Sequence, residues 1–184
     1  MNKNELIDQL LRINEENIQD AVSLRNLKSE ILHLRPGEGK WNVLECVEHL
    51  LQYGDYYIPE IKAKLQSASP SSTNEYKSSW LGNYFADVVS PLGDNKRAKK
   101  MKTLRKTNPI NFSPRPQAMD LFIQQQEALK NQLVQSRNYD IEKIKTGISI
   151  TPWLKLRLGD TFRVVIMHNK RHLIQAKRAA GLIS

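Results

Sequence analysis

The chain has 184 residues, of which 40% are hydrophobic and 26% charged, and its formal net charge is +9. This composition is typical of a soluble globular protein, and at this length we expect one domain, residues 1–184, with a sizeable core. The single cysteine excludes an intrachain disulfide, and no apolar run is long enough for a membrane-spanning helix, so no membrane partner is expected. The N-terminal segment lacks the apolar core of a signal peptide, which favours a cytoplasmic protein.

The excess positive charge is concentrated in residues 96–106, which hold seven basic residues and no acidic one. Elsewhere the charges nearly balance, so the net charge does not describe the whole chain. The segment also lacks the interleaved aromatic residues that stack on single-stranded nucleic acid, and a nucleic-acid partner is not expected. A solvated loop is the simpler interpretation. Contact with phosphates, an anionic substrate or a thiolate cofactor is the alternative.

The first half of the chain contains two strong helical patterns. Apolar residues at helical spacing predict a first helix from about residue 4 to residue 22, followed by a short helical piece that ends at Pro36. A second long helix is predicted from Asn42 to about residue 66. Asn42 and Glu45 have the spacing of a capping box, and Pro59 predicts a kink.

Residues 67–114 have the composition of a long loop, with one short helix predicted at residues 80–89. In that helix we expect the large apolar side chains to face the bundle, namely Trp80, Tyr84, Phe85 and Val88. A third long helix is predicted at residues 117–137, and residues 148–158 are expected to be extended or irregular.

The last helix is predicted from about residue 159 to residue 180, with Asp160 or Thr161 as its N-cap and Gly181 at its end. Four amphipathic helices without a clear sheet predict an all-α fold, a four-helix bundle. Because the link between the second and third helices is long enough to cross the bundle, we expect up-down-down-up order.

Two histidines near the C-terminus, His168 and His172, are spaced four residues apart in the last predicted helix. Side chains at this spacing lie on one face of a helix, so both imidazoles can bind one metal ion. The same spacing also occurs in histidines that are surface or core residues. His49, in the middle of the second helix, strengthens the metal hypothesis, because a bundle can place it opposite the pair. Three imidazoles suit Zn, Ni, Fe or Cu and leave coordination positions open.

Other polar residues near these histidines are weaker candidates. Glu45 could accept a hydrogen bond from an imidazole, although the capping box is the simpler explanation of its position. Gln175 follows His172 by three residues and is expected to point into the same pocket. His33 is interpreted as a surface residue beside a turn, and Cys46 as a core residue.

Two segments of the sequence together resemble the DinB/YfiT family. GKWNVLECVEHL at residues 39–50 is similar to the family's tryptophan-to-histidine motif, and LGD at 158–160 with HNKRHLIQ at 168–175 is similar to its second histidine motif. Residues 102–114 also resemble a linker found in one branch of the family. Asn42 departs from the usual serine or threonine but retains the capping chemistry.

The resemblance implies a four-helix bundle of the DinB/YfiT type and a divalent metal, commonly zinc or nickel, bound by His49, His168 and His172. It also implies a homodimer and a small-molecule substrate. Some family members look like S-transferases or isomerases that use a low-molecular-weight thiol such as bacillithiol or mycothiol. We therefore expect a thiol-dependent S-transferase acting on small electrophiles. A metal-dependent hydrolase, or a non-enzymatic stress-associated binding protein that uses the basic segment, remains an alternative.

Overall fold

The computed structural model describes residues 1–91, 107–111 and 113–183, and the basic segment 96–106 lies outside these residues. It contains six α-helices, one short 3-10 helix and two β-strands within the described ranges. In chain order they are α1 (Lys3–Arg25), α2 (Ser29–His33), α3 (Val43–Gln66), α4 (Trp80–Val89), the 3-10 helix (Pro109–Asn111), α5 (Ala118–Ser136), β1 (Lys145–Ile148), β2 (Thr151–Arg157) and α6 (Leu158–Ala179).

The four long helices α1, α3, α5 and α6 form the bundle, and α1 and α3 each pack against both α5 and α6. The relative directions of these helices follow from the residues that are hydrogen-bonded between them. Residue numbers rise together along a pair of parallel helices and run in opposite senses along an antiparallel pair. The meeting pairs are Asn17–Ile166 and Asp20–Lys177 for α1 and α6, Arg25–Asp120 and Asp8–Arg137 for α1 and α5, and Asp55–Gln125 and Ile58–Gln132 for α3 and α5. The predicted up-down-down-up bundle is confirmed.

The start of α3 is fixed by the predicted capping box. The Asn42 side chain accepts a hydrogen bond from the Glu45 backbone N–H, and the Glu45 carboxylate accepts one from the Asn42 N–H, both at 2.8 Å. Arg35 adds an ion pair to the same carboxylate. The helix then continues through Pro59 to Gln66. Because the cap defines the first turn, it also sets which face of α3 carries His49.

A buried polar layer divides the core of the bundle into two apolar clusters. In it, Asn14 donates to the Gln126 carbonyl, Asn169 donates to the Gln126 side chain, and Asn17 donates to the Ile166 carbonyl, at 2.9–3.2 Å. Buried amides are tolerated when hydrogen-bonded in this way. The layer includes the neighbour of His168, so it lies at the level of the histidines on α6.

The segment before α6 is an antiparallel hairpin, whereas the sequence predicted no clear sheet. Strand β1 pairs with β2, with a bulge between Gly147 and Ile148. Helix α6 follows β2 directly and begins at Leu158, with Arg157 at its N-cap position. The prediction that Asp160 or Thr161 caps α6 is therefore wrong. Both lie inside its first turn and are fully buried.

Helix α4 presents a different face to the bundle than its sequence predicted. Trp80 is 80% exposed and Tyr84 is 57% exposed, so the expectation that they face the core is wrong. The buried residues of this helix are instead small, and a Cβ atom on one of them, Gly82, would lie 2.0 Å from Cγ of Asp160. Glycine thus permits a close approach between α4 and α6 that larger residues would prevent.

Among the described helices, none combines the length and the apolar character that crossing a membrane would require.

Candidate metal centre

Three of the four histidines meet between α3 and α6. Because these helices are antiparallel, His49 on α3 lies opposite His168 and His172 on α6, and their potential ligand nitrogens all lie within 4.8 Å of one another. The Nε2 atoms of His49 and His168 are 3.4 Å apart. His49 is buried, whereas His168 and His172 are partly exposed. The structure thus brings together the three residues that the sequence predicted as ligands.

Hydrogen bonds orient two of these imidazoles. Nδ1–H of His49 donates to the carbonyl oxygen of Thr107 at 2.8 Å, and Nδ1–H of His172 donates to Oε1 of Gln175 at 2.9 Å. With the protons on Nδ1, the lone pairs on Nε2 are available to a metal. In tetrahedral coordination with bonds of about 2.0–2.1 Å, two ligand nitrogens lie about 3.4 Å apart. The donor set and its spacing therefore fit a divalent ion.

Burial keeps all three imidazoles neutral. It lowers the pKa of His49, and it lowers the pKa of His168 well below its ordinary value, with further contributions from the neighbouring His172 and His49. The pKa of His172 falls to about 3, mainly through burial. Since only a neutral imidazole binds a metal, the folded protein holds these ligands in the binding form at neutral pH.

These pKa shifts predict a pH-dependent stability of the metal-free protein. The unfolded chain binds protons near the ordinary histidine pKa of 6.5, while the folded chain binds them only at lower pH. Stability is therefore fully present above pH 6.5 and is lost as the pH falls towards the folded pKa values. For each such histidine, the free energy of unfolding should decrease with a slope approaching about 1.4 kcal/mol per pH unit.

Urea denaturation of metal-free protein between about pH 7 and pH 5 measures this slope. His172→Gln removes one titrating group and should make the slope shallower than in the unsubstituted protein. Equal slopes in His172→Gln and the unsubstituted protein would contradict the prediction.

Aromatic rings enclose the histidine cluster. The Trp41 ring centroid lies 5.0 Å from that of His49 and 5.7 Å from that of His172, the latter in a stacked arrangement. Tyr53 lies 4.9 Å from His49 and 4.5 Å from His168. These rings restrict the rotation of the imidazoles. They also shield one side of the cluster from water and so contribute to the burial that lowers the pKa values of the imidazoles.

The histidines form part of the wall of a cavity of about 900 Å³. Three cationic residues, Lys40, Arg171 and Arg178, also line it, and none of its described lining residues carries a carboxylate. Arg171 is held in place by a hydrogen bond to the carbonyl of Val88 at 3.1 Å. The cavity is therefore large enough for a small molecule and favours one with negative charge.

The structure distinguishes the weaker sequence candidates that lie at the histidine cluster from those that lie elsewhere. Gln175 contacts His172, as expected. Glu45 serves the capping box and the ion pair with Arg35, which is the simpler of its two interpretations. Cys46 is fully buried in the core, and burial raises the pKa of its thiol, so it stays protonated. His33 is exposed, as predicted.

Replacing Gln175 with leucine is expected to weaken metal binding by about 10–100-fold, because the His172 imidazole loses the acceptor that fixes its tautomer and orientation. Gln175→Glu, which keeps an oxygen acceptor at the same place, is the matched control and should bind metal nearly as the unsubstituted protein does. Competition with a chromophoric chelator measures the affinities. Equal affinity of Gln175→Leu and the unsubstituted protein would show that this hydrogen bond does not matter for binding.

Three further residues that contact the histidine cluster were not among the sequence candidates. Trp41 belongs to the motif at residues 39–50 but was not assigned a role, and Tyr53 follows His49 by four residues on the same helical face, a spacing that could have identified it. Thr107 contributes its backbone carbonyl, for which the sequence carries no signal.

Comparison with known proteins agrees with this geometry. The family model of the DinB superfamily matches residues 11–176, which include both histidine motifs. Searches of curated proteins and of solved structures returned no match. The match covers most of the chain, and the bundle and the histidine cluster agree with it. The chain belongs to the DinB superfamily.

Proposed function

We propose that this protein is a divalent-metal-dependent transferase that joins a low-molecular-weight thiol to a small electrophile. The observation that carries the proposal is a cluster of three neutral imidazoles in the wall of a large cavity with a cationic lining. Zinc or nickel is the expected metal. When bound, such an ion supplies a Lewis acid that lowers the pKa of a coordinated thiol.

The residues around the cluster support a thiol that carries carboxylates. Lys40, Arg171 and Arg178 line the cavity and attract negative charge, so they can bind and orient the carboxylates while the sulfur lies near the histidines. Burial raises the pKa of Tyr53, which therefore remains protonated beside His49 and His168 and can donate a hydrogen bond to a leaving group.

The proposed reaction is a nucleophilic substitution. The thiol loses its proton to solvent, and the sulfur electron pair forms a carbon–sulfur bond with the electrophile. The bond from that carbon to the leaving group breaks, and the leaving group departs with the bonding electron pair. The products are a thioether, the leaving-group anion and a proton, so no external oxidant or reductant is needed.

The test is thiol-dependent release of iodide from 1-iodobutane by protein loaded with zinc or nickel. Bacillithiol, glutathione and cysteine serve as thiols. We expect turnover that requires both metal and thiol and that is lost in His49→Ala but retained in His33→Ala. Turnover of ester or amide substrates without thiol would instead support the hydrolase. Failure of all these thiols to react faster than in protein-free controls would contradict the transferase.

A non-enzymatic role for the basic segment 96–106 stays an alternative. Salt-sensitive binding of an anionic partner, lost when these charges are neutralised, would support it.

The expected homodimer also stays a prediction. Exposed aromatic side chains on α4 and β2, including Trp80 and Trp153, offer apolar surface that a second copy could bury. Sedimentation velocity checks the oligomeric state.

A further inference from the structure

A second, smaller cavity also has His168 in its wall. Its volume is about 60 Å³, and it lies between α3, α4, α6 and the hairpin. Most of its lining is apolar, including Phe85, Val89, Ile148, Leu156 and Val165. We name this space the apolar chamber. Among its described lining residues, His168 alone has a basic side chain.

Two polar side chains in the chamber wall, Tyr57 and Ser149, contact each other. The Tyr57 hydroxyl lies 3.4 Å from Oγ of Ser149 and accepts a hydrogen bond from the Ser149 backbone N–H at 3.2 Å. These groups therefore do not require water or a polar ligand. Cavities with apolar walls stay dry and bind apolar molecules.

The two cavities meet at the histidine cluster. Tyr53, Val89, Ile150 and His168 line both of them. A molecule with its reactive atom beside His168 can thus extend into the apolar chamber, while a second molecule approaches from the cationic cavity. This is the arrangement that a two-substrate reaction between an apolar electrophile and an anionic nucleophile needs.

We infer that the apolar chamber binds the apolar end of the electrophile, and that the substrate class is small electrophiles with a short alkyl or alkenyl group next to the reactive carbon. This inference rests on the proposed function. A water molecule needs about 10–15 Å³ of such volume, so the chamber has room for about four to six non-hydrogen atoms. Polar or bulky electrophiles do not fit it. In the reaction, sulfur bonds to the carbon at the chamber mouth, and the leaving group departs with its electron pair into the large cavity.

Binding of unreactive straight-chain alcohols, from ethanol to octanol, tests the chamber independently of catalysis. Methyl-resolved NMR of the full chain, with and without zinc, reports on Ile148, Leu156 and Val165. We expect the affinity to increase about fourfold for each added methylene. The increase should stop at about four to six carbons, when the chamber is full.

Two variants change the chamber in opposite directions. Leu156→Ala enlarges the chamber, so the chain length at which the affinity stops increasing, here called the limit, should move to longer alcohols. Val164→Phe fills the chamber and should move this limit to shorter alcohols. Leu154→Ala, on the same strand but 41% exposed and outside the lining, is the matched control and should not move the limit. Because Leu156→Ala also removes core packing, Val164→Phe keeps the test informative if the first variant is unstable.

The outcomes separate this inference from the proposed function. Affinity that does not depend on chain length, or a limit that moves in neither folded variant, overturns the chamber as an apolar subsite. Chain-length-dependent binding without any thiol-dependent turnover supports the chamber and overturns the transferase. If turnover occurs, kcat/KM for a series of 1-iodoalkanes should show the same limit. Equal kcat/KM along that series would overturn the inferred substrate class and leave the transferase in place.

Discussion

Replacing His168 with alanine is expected to abolish stoichiometric binding of a divalent metal. The His168 ring is close to both other imidazoles, with centroids 4.6 Å from His172 and 5.2 Å from His49. Its removal leaves two protein ligands, too few for the catalytic type of site, which uses three. We expect the affinity to fall by more than about 100-fold, since removal of a ligand costs more than loss of the groups that orient ligands.

Elemental analysis of protein purified without an affinity tag measures this effect. The unsubstituted protein should contain close to one divalent ion per chain and His168→Ala almost none. His33→Ala is the matched control, because His33 is exposed and lies outside the cluster, and it should retain the metal. Circular dichroism verifies that each variant is folded. Unchanged metal content in His168→Ala would refute the three-histidine site.

Much of the candidate site could be predicted because it depends on regular helices. The spacing of His168 and His172 fixes their common face, and an antiparallel bundle leaves few places for His49 other than opposite them. The Thr107 carbonyl could not be predicted in this way. It comes from the long connection between α3 and α5, and helical periodicity gives no information about where an irregular segment returns to the bundle.

The four long helices were predictable for the same reason, since each has an amphipathic pattern. The face of α4 was not. Its largest apolar residues, Trp80 and Tyr84, predict that their own face packs on the bundle. The face that does pack on α6 is the one whose small residues let the two backbones come close together. Gly82 allows the approach to Asp160, and the large rings are left outside. The hairpin was missed because its short strands pair with each other, and pairing is not visible in the pattern of either strand alone.

Asp160 is a residue of the type that often caps a helix, but it has a different role in this protein. As an acidic residue near a helix start, it resembles an N-cap, but it lies within α6 and is fully buried. Its carboxylate accepts hydrogen bonds from the Ser79 backbone N–H at 3.1 Å and the Ser79 hydroxyl at 2.8 Å. The hydroxyls of Tyr76 and Ser78 also donate to it, and Arg163 lies 3.5 Å away. This carboxylate therefore holds the segment that leads into α4 against α6.

Since α4 supplies Phe85 and Val89 to the apolar chamber, the Asp160 network also positions one wall of the proposed site. Burial, and in addition the hydrogen bond to the Asp160 carboxylate, raises the pKa of the Tyr76 phenol, so it remains protonated and donates to Asp160 over the physiological range. Both the stability of the fold and the shape of the apolar chamber beside His168 therefore depend on these hydrogen bonds. Loss of the carboxylate should affect both.

Replacing Asp160 with alanine is expected to lower the free energy of unfolding by about 3–5 kcal/mol, because it leaves the buried Tyr76 hydroxyl and the Ser79 donors without their acceptor and the Arg163 charge without its counter-ion. Urea denaturation at a fixed metal concentration measures the loss. Asp87→Ala, which removes an exposed carboxylate from α4, is the matched control and should change stability by less than about 0.5 kcal/mol. Hydrogen exchange should also show faster opening of α4 in Asp160→Ala than in the control. A loss as small as that of Asp87→Ala would mean that the buried carboxylate does not hold α4 on the bundle.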